Sequence, residues 1–170
     1  MISTFAGVRI RLAQLSDVPA LPLIEDEASL AFRATEHAWV TDDAPTGAED
    51  YPPLIANRTV WVAEDNDGLA GFVSAMPLGD GLHVLELAVR PDHQRRGIGR
   101  RLMLAVIEGA GGQGYRSLTL TTFRGVAFNA PFYETLGFEI LAEPAAYLQA
   151  ILDDQAARRL ADRCAMLLKL

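Results

Sequence analysis

Two short turns divide the apolar stretch from Thr59 to Val89 into three segments of strand length. The first turn, Asp65-Asn66-Asp67-Gly68, is a strong hairpin signal because these residue types accept the backbone angles of tight turns. The second turn spans Leu78–Gly81. Strands that are joined so closely pair antiparallel. The stretch therefore predicts a three-stranded meander, with strands at Thr59–Ala63, Leu69–Met76 and His83–Val89.

Strand and helix patterns alternate on either side of this meander. Apolar residues at Ile98, Leu102, Ala105 and Val106 follow helical spacing, and Gly111-Gly112-Gln113-Gly114 ends that helix. A meander combined with strand–helix–strand units predicts an α/β fold of the mixed α+β kind. The other predicted elements are a strand Val8–Leu12, a helix from Ser16-Asp17 to about Ala34, a loop Thr41–Pro45, a helix Thr46–Ala56, a helix from Gly97 to about Ala110, a strand Leu118–Thr122, a short helix capped by Asn129, a strand Phe138–Leu141, a helix Tyr147–Leu160 and a strand Ala165–Leu170.

The segment Gln94–Arg101, QRRGIGRR, joins the third meander strand to the following helix and contains four arginines and two glycines. The first N–H groups of a helix lack internal partners, and the helix dipole adds positive potential there. Glycine lets a ligand approach the backbone, and arginine adds charge and donors. The segment therefore predicts a site for a phosphate-rich anion, although it could also be a solvated helix start. Leu102 breaks the dinucleotide fingerprint at its third glycine position, and no P-loop is present.

The stretch LAVRPDHQRRGIGRRLM, residues 87–103, resembles the acyl-CoA-binding motif of the GNAT superfamily of N-acetyltransferases. The motif core, Gln/Arg-x-x-Gly-x-Gly/Ala, matches Gln94, Gly97 and Gly99. A second stretch, NAPFYETLGFEIL, residues 129–141, resembles the family motif in which a tyrosine precedes Leu-Gly-Phe. The resemblance implies a single N-acetyltransferase domain over residues 1–170. It also implies a mixed, mostly antiparallel central sheet of about six to seven strands, about four to five flanking helices, and a splayed pair of strands at the acyl-CoA cleft.

The resemblance further implies how acetyl-CoA, the acyl donor, binds. Backbone amides of the turn would hold its pyrophosphate, and the strand before the turn would hold its pantetheine and supply an N–H to the oxyanion. Many relatives have a pantetheine-contacting asparagine about seven residues before the tyrosine, where this chain has Val126. Asn129 is therefore either a ligand contact or only a helix cap. The implied cofactor-binding residues are Leu87, Ala88, Val89, Gln94, Arg95, Arg96, Gly97, Ile98, Gly99, Arg100, Asn129, Phe132 and Tyr133.

Three residues are candidates for proton transfer. Tyr133 matches the family's tyrosine acid, which protonates the leaving thiolate; alternatively it only packs under Leu136-Gly137-Phe138. His83 and Glu86 compete as the base for the attacking amine, and strand alternation places them on opposite faces. Glu86 could instead bind a cationic acceptor, His83 could be solvated beside the Gly81 turn, and a water chain could serve as the base.

The net charge of −7 lies in residues 21–50, which hold eight acidic residues and one base. Such a segment argues against nucleic acid as a partner and favours a cationic one. Because the first two helices of the family usually form one wall of the acceptor site, the resemblance implies a cationic amine acceptor. A small molecule and a peptide both fit this description. The alternative is a solvated pair of acidic helices.

The remaining reactive side chains give weaker indications. His93 is expected to flank the turn in solvent, Thr121-Thr122-Phe123 to border the cleft, and Cys164 to pack in a strand rather than act as a nucleophile. The single cysteine excludes an internal disulfide and suits a cytoplasmic location. No signal peptide, membrane span or metal-ligand spacing is recognisable. We therefore expect no membrane, nucleic-acid or metal partner, and a homodimer formed through residues 143–170 is left open.

Overall fold

The computed structural model describes residues 7–170, which form five α-helices and seven β-strands. The helices are α1 Leu21–Ser29, α2 Tyr51–Ala56, α3 Ile98–Gly112, α4 Ala130–Glu134 and α5 Ala146–Ala157. The strands are β1 Arg9–Leu12, β2 Val60–Asp65, β3 Gly68–Leu78, β4 Gly81–Val89, β5 Ser117–Phe123, β6 Glu139–Ile140 and β7 Arg163–Lys169. Short 3₁₀ turns occupy Leu15–Ala20, Leu30–Ala34, Ala38–Asp42, Ala48–Asp50 and Pro91–His93.

The strands form one mixed sheet in the order β1-β2-β3-β4-β5-β7-β6. β2 runs antiparallel to β1 and to β3, and β7 runs antiparallel to β5 and to β6. β4 runs parallel to β5, with Leu82 opposite Leu118 and His83 opposite Thr119, and both strands continue beyond these pairs. The predicted mixed, mostly antiparallel sheet is confirmed. Among residues 7–170 no helix combines the length and the apolar character that crossing a membrane requires.

The turns of the meander lie where the sequence predicts them. β2 ends at Asp65, whose Oδ1 accepts the N–H of Asp67 at 2.9 Å. Gly68 follows with φ +124°, and Gly79 has φ +64° in the second turn. Both values lie in the left-handed range that glycine adopts without steric cost. Local turn chemistry therefore sets where each meander strand begins and ends.

The helix predicted to begin at Ser16-Asp17 is not continuous. The chain first forms the 3₁₀ turn Leu15–Ala20, because Pro19 has no N–H with which to extend an α-helical ladder. Gln14 is the N-cap of this turn, rather than Ser16 or Asp17, and the carboxylate of Asp17 at the third position accepts the N–H of Gln14 at 2.8 Å as half of a capping box. It also accepts two bonds from Arg11, at 2.8 and 3.0 Å, which hold the pKa of Asp17 below its usual range.

The helix predicted over Thr46–Ala56 is also shorter than expected, and α2 covers only its second half. Thr46 lies before it and donates to the carboxylate of Glu25 from its N–H at 3.0 Å and from its hydroxyl at 3.1 Å. The Tyr51 hydroxyl donates to the same carboxylate at 3.1 Å. Glu25 thus fastens α1 to the start of α2. The other predicted elements are present, with ends displaced by a few residues.

The described residues group into two compact units. One contains residues 7–76 together with Leu85–Gly109, and the other contains Pro77–Val84 with Ala110–Leu170. The prediction of one domain over the whole chain stays a prediction. In the first unit Tyr51 and Phe72 pack edge to face, with ring centroids 5.7 Å apart. The core around them is completed by Ala13, Leu21, Ile24, Val60, Val62 and Ala88.

The second unit has its own buried side chains on β5, β7 and α5. They include Leu120, Met166 and Leu148, which are almost completely removed from solvent. Cys164 on β7 is buried as predicted, and burial raises the pKa of its thiol. A buried thiol with a raised pKa is a poor nucleophile.

Gly71 on β3 lies against the backbone of β4. A Cβ at this position would lie 2.6 Å from the carbonyl oxygen of Ala88 and 3.2 Å from Cα of Val89. We expect Gly71→Ala to lower the free energy of unfolding by about 1–3 kcal/mol, because strand backbone cannot yield as a flexible side chain can. Urea unfolding would measure the loss. The control is Gly111→Ala in α3, where open space surrounds the glycine and alanine favours the helix. An unchanged stability of Gly71→Ala would contradict this close approach.

Candidate functional site

The turn between β4 and α3 has the backbone geometry of an anion site. Arg95 has φ +58° and Gly97 has φ +76°, so two left-handed residues occur within three positions. α3 begins immediately afterwards, at Ile98. Left-handed residues in a turn let successive backbone N–H groups point into one concavity, and the start of a helix adds further donors. No atom lies within 4 Å of the position that a Cβ of Gly97 would occupy, so the backbone is open to a ligand there.

Side chains on both sides hold this turn in place. Ile98 is buried, and Gln94 donates from Nε2 to the carbonyl of Val89 at 3.0 Å. Gln94 therefore braces the turn against the end of β4. Arg101 donates from Nη2 to the carbonyl of Val8 at 2.8 Å, which ties α3 to the residue before β1. The other three arginines of the segment, Arg95, Arg96 and Arg100, are exposed.

The residues before the turn are also bonded. His93 was predicted to lie in solvent, and this is wrong. Its Nδ1 lies 2.7 Å from Asp92 and its Nε2 lies 2.8 Å from Asp65. Arg90 donates from Nε to the carbonyl of Leu69 at 2.8 Å and forms an ion pair with Glu27 of α1. Apart from Asp92, the partners lie far away in the chain, so sequence patterns do not reveal these contacts.

β4 carries the residues that the resemblance assigns to pantetheine. Ala88 is buried, whereas Leu87 and Val89 are half-buried. Glu86 is half-buried on the same strand and acts electrostatically on Tyr51. Burial first, and the carboxylates of Glu25 and Glu86 next, raise the pKa of the Tyr51 hydroxyl. Glu86 therefore adds negative charge close to the contact between α1 and α2.

His83 is buried on the first half of β4, with 4% of its surface exposed. The alternative that it is solvated is wrong. Its Nδ1 lies 2.9 Å from the Thr119 hydroxyl on β5. Burial, with a smaller contribution from the Arg163 charge, lowers the pKa of His83 to about 4. The ring is consequently neutral at neutral pH and binds a proton only weakly.

Tyr133 lies in α4, the five-residue helix that the sequence predicts. It is 8% exposed, and its ring packs edge to face against Phe132 at 5.1 Å and against Phe138 at 5.8 Å. Gly137, with φ +93°, turns the chain after the helix so that the N–H of Phe138 reaches the carbonyl of Tyr133 at 3.2 Å. The predicted packing of the tyrosine ring is therefore present.

Asn129 occupies the N-cap position of α4 but makes no capping hydrogen bond with its side chain. Its Nδ2 donates instead to the carbonyl of Phe128 at 3.1 Å. Val126, at the position where relatives have their asparagine, is buried. The candidates thus fall into two groups. Glu86 and the cofactor residues from Leu87 to Arg100 belong to the first unit, and His83, Asn129, Phe132 and Tyr133 belong to the second.

A polar network at the ends of β5 and β7 was not anticipated. Arg163 donates from Nη2 to the carbonyl of Thr121 at 2.7 Å, and its guanidinium lies 4.8 Å from the ring centroid of Phe123. Gln155 of α5 donates to the Thr121 hydroxyl at 2.9 Å. Thr121 and Phe123 were expected to border the cleft, whereas Arg163 and Gln155 were missed. The strand pattern begins only at Ala165, so the sequence gives no signal for Arg163.

The sequence is similar to known acetyltransferases. A family model described as an acetyltransferase (GNAT) domain matches residues 56–140. Human N-acetyltransferase 8 is 32% identical over 85 residues, which cover 46% of this chain and 37% of that protein. The chain therefore spans well under half of the length of this relative. The peptidyl-lysine N-acetyltransferase YiaC of Escherichia coli K12 is 32% identical over 133 residues, 78% of this chain and 84% of the relative.

Solved structures share the fold. The PaiA N-acetyltransferase of Thermoplasma acidophilum, solved in complex with coenzyme A, superposes with a TM-score of 0.71 at 18% identity, covering 96% of this chain and 99% of that one. The ribosomal-protein-S18-alanine N-acetyltransferase of Escherichia coli superposes with a TM-score of 0.67 at 22% identity, covering 95% and 93%. These likenesses confirm the predicted architecture, a mixed sheet of seven strands with five helices.

Proposed function

The chain belongs to the GNAT family of acetyltransferases, and we propose from this premise that it transfers the acetyl group of acetyl-CoA to a primary amine. The observation that carries the proposal is the turn before α3, where Arg95 and Gly97 are left-handed and the backbone around Gly97 is open. Such a turn suits a pyrophosphate. The presence of coenzyme A in the neighbour from Thermoplasma acidophilum supports this choice of anion.

The donor would lie along the end of β4 and the turn. Backbone N–H groups from Gln94 to Arg100 bind the pyrophosphate, and Arg95, Arg96 and Arg100 add positive charge at its rim. The backbone of Leu87–Val89 pairs with pantetheine. An N–H of this strand polarises the thioester carbonyl and stabilises the oxyanion that forms there.

The reaction is a direct acyl transfer. The neutral amine nitrogen bonds to the thioester carbonyl carbon, and the C–S bond of the tetrahedral intermediate then breaks. The leaving thiolate takes a proton from the Tyr133 hydroxyl, and the amine proton passes to a base. Tyr133 lies within the residues that the family model matches, in the segment that resembles the family's tyrosine motif, which supports this role.

We assign removal of the amine proton to Glu86, directly or through water. His83 is the weaker candidate because its ring is 4% exposed and its Nδ1 already lies 2.9 Å from the Thr119 hydroxyl, so a soluble amine has little access to it. Glu86 is half-buried and adds to the negative potential near Tyr51, which suits a group that attracts an ammonium ion and then takes its proton.

We propose that the acceptor is cationic, with a peptide lysine as the first class to test. The similarity to a peptidyl-lysine acetyltransferase over 84% of that relative supports this class. Two of the eight acidic residues in the acidic segment, Glu25 and Glu27, are bonded within the fold. Four others are exposed on and between the short turns before α2 and are available to an acceptor: Asp42, Asp43, Glu49 and Asp50.

Neutralising these four exposed acids should raise the acceptor KM about threefold to tenfold, because a cationic acceptor loses long-range attraction. The Kd for acetyl-CoA should stay unchanged. The matched control neutralises four exposed acids elsewhere, Glu108, Glu139, Glu143 and Asp153. Steady-state kinetics at low and at physiological salt would measure both variants. An equal change of KM in the two variants would mean that only net charge matters and would contradict an acceptor role for the segment.

The proposed function is tested by calorimetry with acetyl-CoA, followed by an assay of free CoA thiol with a panel of amines. Binding with roughly micromolar Kd, about −8 kcal/mol, is expected. Thiol release only in the presence of an acceptor would support a transferase, and mass spectrometry would locate the acetyl group on a lysine, on an N-terminus or on a small amine. Binding without turnover for any acceptor would favour the alternative, an acyl-CoA-binding module without catalysis.

A further inference from the structure

We propose that His93, in its protonated form, is a positioning residue that ties the arginine–glycine turn to the β2–β3 hairpin. The inference rests on the proposed function in one respect, namely that the ligand of this turn is coenzyme A. No motif assigns a role to His93, and its side chain does not need to touch the ligand in order to act. It would act through the backbone of the turn that it precedes.

The geometry places His93 between two parts of the first unit. It ends the 3₁₀ turn Pro91–His93, and the next residue, Gln94, opens the segment that carries the left-handed Arg95. Its Nε2 reaches Asp65 at 2.8 Å, and Asp65 also accepts the N–H of Asp67 through its other oxygen. One carboxylate therefore holds both the hairpin turn and the approach to the anion turn.

The contact between His93 and Asp65, at the hairpin, is largely shielded from solvent. The His93 side chain is 14% exposed and that of Asp65 is 17% exposed, whereas Asp92 is largely in solvent. The charged groups around the ring are Asp65 at the end of β2, Asp92 on the same turn, and Arg90, which acts on Asp92 and pairs with Glu27 of α1. Two carboxylates thus face the imidazole directly.

Only the imidazolium satisfies both contacts. A neutral imidazole has one N–H donor, so one ring nitrogen would direct its lone pair at a carboxylate. The carboxylates of Asp92 and, next, of Asp65 raise the pKa of His93 above its ordinary value. The pKa of His93 is higher in the folded protein than in the unfolded one. The two contacts therefore stabilise the folded protein fully at pH values below the unfolded-state pKa, and this stabilisation is lost as the pH rises through the folded-state pKa. The turn is therefore expected to be held less firmly at alkaline pH.

The first part of the test needs no ligand. In a nuclear magnetic resonance titration, the His93 ring should titrate above the ordinary histidine pKa, and the amide of Gly97 should shift with the same midpoint. In Asp65→Asn the pKa of the His93 ring should fall. This variant keeps the hairpin turn, because the amide oxygen of asparagine can still accept the N–H of Asp67. A Gly97 amide that ignores the titration of His93 would overturn the inference.

The second part measures the Kd of coenzyme A by calorimetry between pH 6 and 8.5. His93→Gln should bind about three- to fivefold more weakly than the native protein at pH 6 and equally at pH 8.5. Comparison at each pH cancels the titration of the ligand's own phosphates. If the Kd of coenzyme A depended on pH in the same way for the native protein, His93→Gln and Asp65→Asn, the inference would be overturned and the proposed function would stand. Absence of CoA binding at every pH would overturn the proposed function, and the ligand-free titration would still decide whether the tie exists.

Discussion

Replacing Gly97 with aspartate is expected to weaken acetyl-CoA binding by about 100-fold or more, or about 2.7 kcal/mol. Replacing it with asparagine should cost less than about tenfold. Aspartate and asparagine have nearly the same size, and both accept left-handed backbone angles better than other side chains do. The pair therefore separates the effect of charge from the effect of volume and backbone strain.

The structure explains why charge should dominate at this position. Gly97 has φ +76°, and its absent Cβ would meet no atom within 4 Å, so either side chain fits without displacing the protein. A carboxylate at this point would face the phosphates that the turn is proposed to hold. It would repel them across a short distance and would compete for the same backbone N–H groups.

Calorimetry with acetyl-CoA measures both variants, with circular dichroism as the check of the fold. A second series at increasing salt adds an independent readout, because binding that depends on phosphates should weaken as ionic strength rises. Native-like affinities of both Gly97→Asp and Gly97→Asn would contradict phosphate binding at this turn. Equal and large losses in both variants would point to steric closure of the site rather than to charge repulsion.

Features that depend on neighbouring residues could be predicted from the sequence. The meander strands follow turns whose glycines have the expected left-handed angles. The short helix α4 starts after Asn129 with a proline in its first turn, and Gly137 follows it. The anion turn belongs to the same class, because its glycine, its arginines and the helix start are consecutive in the chain. In each case the physical constraint acts within a few residues.

Features that depend on distant residues could not be predicted. His93 is bonded to Asp65, which lies 28 positions earlier in the chain, and Arg163 is bonded to Thr121, which lies 42 positions earlier. Alternation along β4 could not reveal that His83 is buried, since burial depends on what packs against the strand. That burial lowers the pKa of His83, and which of His83 and Glu86 acts as the base stays a prediction.

The first helix shows a different limit. Its apolar spacing is helical over the whole predicted range, yet the chain breaks into 3₁₀ turns on both sides of α1. Pro19 explains the first break. The carboxylate of Asp17 accepts the N–H of Gln14 and also pairs with Arg11 of β1, so the local cap and the ion pair with a neighbouring strand act together.

Removing only the hydroxyl of Tyr133 is the test that separates catalysis from binding. Tyr133→Phe should lower kcat about 100- to 1,000-fold, because the leaving thiolate loses its proton donor. The Kd for acetyl-CoA should change by less than about threefold, since the turn that holds the pyrophosphate is untouched. Phenylalanine keeps the ring contacts with Phe132 and Phe138, so the free energy of unfolding should fall by about 0.5–1.5 kcal/mol, the range for loss of a single hydrogen bond.

The same substitution at Tyr115, in the segment between α3 and β5, is the matched control and should leave kcat unchanged. Single-turnover kinetics with saturating acceptor isolates the chemical step from product release. A normal kcat in Tyr133→Phe would mean that the thiolate leaves without this acid, and Tyr133 would then serve only to pack α4. A fall in kcat that is matched by weaker CoA binding would mean that the hydroxyl holds the donor rather than protonating it. Only a loss of kcat at constant Kd assigns the proton to Tyr133.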